Sequence, residues 1–172
     1  IHPITLTRRG QILLSTTDYL RTQHIDLLKA FLSSPSADLL WPVEGLEPSS
    51  GAISKEGWSN DHLARGTGEA LDLAVPVGTP LVAIHDATVW QQGWLGDCGI
   101  ALSLRWREAS DAWEVRYCHL RSVLTDLGAG IQRGTRVAFS GNTGQSTKGP
   151  HLHVHAERNG VRVRLEDIWG LA

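Results

Sequence analysis

An excess of charge of one sign is what this chain most plainly lacks. Its 172 residues carry 16 Lys and Arg against 18 Asp and Glu, for a formal net charge of −2. Binding to phosphate backbones normally shows as a basic excess, so the balance argues against nucleic acid as the main partner. Long apolar runs are also missing, and none approaches the length of a transmembrane segment. No stretch combines a basic start, an apolar middle and a small-residue cleavage site. Because the chain begins at Ile1 rather than Met, that absence carries no information about compartment. Cysteine is limited to Cys98 and Cys118, enough for one disulfide and not spaced like a zinc knuckle. Ordinary thiols and a strand-to-strand disulfide both stay open. In a regular strand through Tyr117-Cys118-His119, alternation turns Cys118 away from the face that carries His119. A metal site shared by those two neighbours is then not expected. Phe and Tyr are scarce, two of each, beside seven Trp. Trp58, Trp90, Trp94 and Trp106 suit a groove for an extended ligand or, more commonly, the packing of a β core. Internal repeats and low-complexity tracts are absent.

What is present is an ordinary globular composition, 41% hydrophobic and 20% charged, long enough for one domain with an appendage. Residues 1–36 read as the appendage. Ser15-Thr16-Thr17-Asp18 resembles a capping box, after which Leu20, His24, Leu27, Leu28, Phe31 and Leu32 recur at helical spacing. Ser33-Ser34-Pro35-Ser36 ends that helix. His24 reads as a packing histidine on its apolar stripe, and His2 as solvated near a terminus. From 37 to 172 the pattern is mainly β. Segments 81–85, 87–94, 99–106, 113–120, 136–141 and 151–157 are short strand candidates punctuated by Gly, Asp, Asn and Ser. Close spacing without long helices between them predicts an antiparallel sheet or sandwich.

The chemistry is concentrated in GNTGQSTKGPHLHVHAE. As a strand, His151-Leu152-His153 points both imidazoles from one face. Such a pair can hold a transition metal, or one ring can bind metal while the other moves protons. Asp72 sits between Ala70-Leu71 and Leu73-Ala74, a lone acid among apolar residues for which a cation is a good partner. Taken singly, Asp72 could equally cap the turn that follows it, and His119 could be a satisfied core histidine. In concert the metal reading is preferred.

The stretches LDLAVPVGTPLVAIHDATV, YCHLRSV, IQRGTRVAFSGNTGQST and GPHLHVHAE resemble the signature of the lysostaphin-type (LytM-like) zinc metallopeptidases that act on bacterial cell walls. They occur in that family's order, and the resemblance runs from Leu40 to Glu157. It implies a duplicated-hybrid-motif type of antiparallel β fold and one zinc ion per chain. It further implies Asp72 and His153 as metal ligands, and His119 and His151 as catalytic histidines off the metal. The commonest family form has a further histidine four residues before the aspartate, where this chain has Gly68. Either that ligand is lost or a longer loop supplies it. His62, ten residues before Asp72, is the choice, with Gly66, Thr67 and Gly68 letting the loop fold back. His85, beside a tight turn, reads as a surface residue. His155, where the family often has Glu, reads as lying one step beyond the metal or facing substrate. Lys148 looks like an extra residue in the entry turn, by default solvated.

On this resemblance the chain is a zinc endopeptidase. A water activated on zinc held by His62, Asp72 and His153 attacks a peptide carbonyl, and one of His119 and His151 takes its proton. The implied substrate is a peptidoglycan peptide, either a stem-peptide cross-link or a glycine-containing bridge. The implied location is the cell envelope or outside the cell. A catalytically degenerate homologue that binds cell wall or activates an amidase is the alternative, supported mainly by Gly68. Oligomeric state is not readable from the chain.

Overall fold

The computed structural model describes residues 39–171. The helix expected in residues 1–36 lies outside them, as do His2 and His24. Nine strands form one antiparallel network: β1 (Leu71–Leu73), β2 (Pro80–Val82), β3 (Ala87–Trp94), β4 (Ile100–Glu108), β5 (Asp111–Val123), β6 (Gly130–Ile131), β7 (Arg136–Ser140), β8 (Leu152–Arg158) and β9 (Val161–Val163). Their order is β1-β8-β5-β4-β3-β6, with β9 on β8, and with β7 joining β5 to β2. The mainly β, antiparallel class read from the sequence is the class observed. Two short helices, α1 (Ser59–Ala64) and α2 (Leu165–Ile168), flank the sheet.

Alternation explains the core. Leu152, Val154 and Ala156 of β8 and Val115 and Tyr117 of β5 are fully buried, so the even positions of one strand meet the odd positions of its neighbour on the apolar face. They join Leu71, Leu73, Leu81, Leu102 and Leu104 in one cluster. Asp72, His153, Arg116 and Glu114 occupy the other face. Tyr117 also buries its hydroxyl, which donates to the Val82 carbonyl at 2.9 Å.

β5 is the spine. Its first part pairs with β4 and β8 and its end pairs with β7, with register shifts on both sides near Leu120. His119 sits at the change of partner with φ of +60°, a left-handed conformation uncommon outside glycine and asparagine.

Several sequence expectations need correction here. Cys118 does not face away from His119: it stands opposite His153 in the register, and the His119 ring also lies 5.9 Å from that of His153. The positive φ at His119 breaks the alternation on which the expectation rested. The two cysteines form a disulfide, which ties the loop at 95–99 to β5. Of the four tryptophans, Trp90 and Trp106 line one cleft together with Trp113, and Trp58 and Trp94 do not line it. Trp106 is buried against Trp113, whereas Trp90 and Trp94 are exposed. Segment 81–85 is strand only to Val82. His85 is half-buried and stacks on Trp106 at 4.9 Å. The strands β6 and β9 and both short helices carried too few residues to show a period.

Candidate metal centre

Three separate segments bring the candidate residues together. On β1, Asp72 lies directly opposite His153 of β8, and cross-strand partners share a face with their Cβ atoms about 5 Å apart. Asp72 Oδ1 accepts from His153 Nδ1 at 2.8 Å. The backbone of Asp72 is gripped by the preceding loop: its N–H donates to Gly57 O at 2.8 Å and its carbonyl accepts from Ser54 N at 2.9 Å. Gly57 has to be glycine, since a Cβ there would fall 2.7 Å from Asp72 Cβ and 2.8 Å from Asp72 O.

His62 arrives on α1. Asp61 accepts from the Trp58 N–H at the start of this helix, and Gly66, with φ of +73°, ends it. After that turn the Thr67 N–H and hydroxyl both donate to the His62 carbonyl, each at 3.0 Å. The loop thus folds back, and His62 Nε2 comes within 3.3 Å of Asp72 Oδ2. That approach is an ion-pair distance without hydrogen-bond geometry, and Nε2 is buried with no hydrogen-bond partner. The opposite ring atom, Nδ1, lies 3.2 Å from both the Thr67 hydroxyl and the Arg65 guanidinium. Because Thr67 gives its own hydrogen to the His62 carbonyl, its oxygen accepts from Nδ1–H, which leaves the lone pair on Nε2.

Donor atoms of His62, Asp72 and His153 all lie within 4.8 Å of one another. Two imidazoles and a carboxylate are a usual zinc donor set for a site that keeps one position open. A buried ring nitrogen without a partner is costly unless something fills its place. On both counts these residues fit the ion.

His119 and His151 stand beside this cluster, their rings 4.7 Å apart. Each directs Nδ1 at a backbone carbonyl: His119 at Thr143 O and His151 at Gly149 O, both at 2.8 Å. A carbonyl only accepts, so Nδ1 must carry the hydrogen and Nε2 the lone pair when either ring is neutral. His151 Nε2 is 3.6 Å from Asp72 Oδ1. The residues named from the sequence therefore meet in one place, including the one at a departure from the family pattern.

Electrostatics follow from burial. Desolvation works to raise the Asp72 carboxyl, but the His153 hydrogen bond and the close approach of the His62 and His153 rings outweigh it and hold it well below the usual carboxylate range. Desolvation lowers His119, partly offset by the Thr143 carbonyl, and it lowers His153 against the pull of Asp72. All three shifts favour the forms that ligate a metal or accept a proton.

His155 is buried rather than substrate-facing, contrary to one of the two readings of it. Its Nδ1 lies 3.4 Å from His153 Nε2, and desolvation, aided by Arg162, pushes it down to about 2. Cys118 also lies near His153 and His155, but its sulfur is committed to the disulfide. Lys148 is exposed and lines, with Glu56, Arg65, Thr67, Ser146 and Pro150, a cleft of about 450 Å³ that opens onto His62, Asp72 and His151. Sequence reasoning missed Gly57 and Ser54, which bracket Asp72. Their only signal was proximity to it in space.

Residues 66–165 match the model of peptidase family M23, more than half of the chain. Over 96 residues the chain is 38% identical to an uncharacterized metalloprotease of Haemophilus influenzae, a match covering 55% of this chain and 19% of that protein. Over 82 residues it is 35% identical to the peptidoglycan DD-endopeptidase ShyA of Vibrio cholerae, covering 48% of this chain and 18% of that one. The chain thus matches about a fifth of the length of these relatives. The crystal structure of a zinc-containing peptidase from Vibrio cholerae superposes with a TM-score of 0.57 at 24% identity, covering 74% of this chain and 39% of the other. That likeness bears on the fold.

Proposed function

The chain belongs to peptidase family M23, and on that premise we propose that it is a zinc-dependent endopeptidase cleaving peptides of bacterial peptidoglycan. The observation that carries this reading is the convergence of His62, Asp72 and His153 beside two histidines whose Nδ1 atoms face backbone carbonyls. His62 Nε2, Asp72 and His153 Nδ1 would hold one zinc ion per chain. Bound there, zinc supplies the Lewis acidity that brings an attacking water's pKa towards neutrality, to about 7.

The other steps belong to the side chains. Neutral His151 or His119 takes, at Nε2, the proton that the water loses as it attacks the peptide carbonyl. The imidazolium so formed, with its neighbour, stabilises the developing oxyanion and then returns the proton to the leaving amine. Burial keeps His119 neutral in the resting state, and the Thr143 and Gly149 carbonyls hold the two rings in the working tautomer. Were His153 to hold the ion through Nδ1, its Nε2 would carry the hydrogen and donate to His155 Nδ1, which burial keeps neutral. The left-handed backbone at His119 costs on the order of 1–3 kcal/mol, tolerated where it re-aims a working side chain.

The named activity of ShyA on peptidoglycan supports the substrate class, as does a cleft open to an extended chain. The cell envelope or the extracellular space is the matching location. No helix among the described residues is long and apolar enough to cross a membrane. The peptidase domain is taken to begin at residue 37.

The test is release of new amines from purified peptidoglycan. Wild type should release them, and His151→Ala should retain zinc while turnover falls by about 10²–10⁴-fold. Zinc-loaded wild type that cleaves no wall type would refute the proposal.

A further inference from the structure

Both His62 and the residue of interest here, Glu166, lie outside the residues that match the family model. Glu166 is 1% exposed. Its Oε2 accepts from the Ser59 hydroxyl at 2.7 Å, and Ser59, itself 0% exposed, opens α1. Arg164 approaches Glu166 Oε1 at 2.8 Å and donates to Asn60 Oδ1 at the same distance. Ser59 Oγ also lies 3.4 Å from the carbonyl of Ala70, two residues before Asp72. One buried carboxylate thus links the C-terminal turn to the helix that carries His62.

Stability alone is a poor reason for this arrangement. A buried carboxylate costs desolvation that a partly exposed partner such as Arg164 offsets only in part, and the best-attested use of such a group is to fix one geometry against others. The geometry at issue is that of a six-residue helix, too short to hold its place by its own hydrogen bonds. Ser59 and His62 are its two buried residues, three apart and hence on one face. A small pivot of α1 about Ser59 would move His62 Nε2 away from Asp72.

We infer that Glu166 is a positioning residue for the metal centre, acting through Ser59 to set where α1 presents His62. The inference rests on the reading of His62 as a ligand. It assigns to the C-terminal turn a part in building the site, in a chain whose first histidine ligand comes from a helix rather than from the usual place beside the aspartate.

A double-mutant cycle on zinc affinity tests it, read by competition with a chromogenic chelator in the intact chain. Glu166→Gln keeps shape and volume while weakening both contacts. It should weaken zinc binding about tenfold, the low end for residues behind a ligand, and blur the d–d absorption of the Co²⁺-substituted site. Combined with His62→Ala, it should cost nothing further, since there is no longer a ring to place. Ser59→Ala, which removes the helix-side hydroxyl, should behave in the same way and stands in if the Glu166 variant folds poorly. Equal losses from Glu166→Gln or Ser59→Ala with and without His62 would overturn the inference, as would no loss at all. If His62→Ala alone leaves affinity unchanged, the ligand reading falls first and takes this inference with it.

Discussion

Replacing His62 by alanine removes one of the three proposed donors and leaves Asp72 and His153 in place on the sheet. Apparent zinc-binding free energies of about 10–16 kcal/mol for four-donor sites amount to about 3 kcal/mol per donor. That corresponds to a loss of about 10²-fold in affinity. Folding should survive, because α1 contributes only Ser59 and His62 to the buried set and the β core lies on the other face of β1 and β8. The measurement is competition with a chromogenic chelator near neutral pH, with circular dichroism as the check on folding. Adding Gly68→His, which puts a histidine where the commoner family pattern has it, should restore little. Gly68 has φ of +78°, a conformation that costs a histidine about 1–3 kcal/mol. Wild-type affinity in His62→Ala would refute the reasoning. Full recovery in the double variant would refute the claim that backbone geometry has moved the ligand to the helix.

Three further outcomes are expected. Gly57→Ala should lower both thermal stability and zinc affinity, because the new methyl meets Asp72 at 2.7 Å and overpacking costs about 1–3 kcal/mol; thermal melts with and without zinc would show it. His155 is held neutral when folded, at about 2, but binds a proton below about 6.5 when unfolded. Its contribution is therefore complete above that pH, and in zinc-free protein His155 should account for about 1.4 kcal/mol lost per unit as pH falls below it, with His119 and His153, also lowered by burial, adding to the loss. His155→Gln should flatten that slope in denaturant titrations, and an unchanged slope would remove His155 as its cause. Reduction of the Cys98–Cys118 disulfide reopens a loop with a sequence separation of 20, worth about 3 kcal/mol of chain entropy. A paired Cys98→Ser/Cys118→Ser variant should melt at a lower temperature, with no difference between oxidising and reducing buffer.

Much of the centre was legible in one dimension because strands are periodic. His151 and His153 had to share a face, and an acid inside Leu71-Asp72-Leu73 had to find a cation or a turn. The strands at 87–94 and around 113–120 were readable for the same reason: alternation over many residues outweighs local accident. Where a single residue leaves the regular conformation, the period fails. His119, with its positive φ, turned the expected opposition of Cys118 and His119 into a shared face. The short elements β6, β9, α1 and α2 span too few residues for any period to show.

Local pattern alone thus determined the class of fold and the shared face of His151 and His153, since each depends on neighbours a few bonds away; the resemblance to the family singled out Asp72 and His153 as candidate donors. Only the tertiary structure decided that His62 Nε2 comes within 3.3 Å of Asp72, that Gly57 gives Asp72 room, and that Glu166 accepts from Ser59 of α1 across 107 positions. Ten residues of chain can span far more than a ligand-to-ligand distance, so spacing permits many placements for such a ring. Packing and hydrogen bonding select one of them.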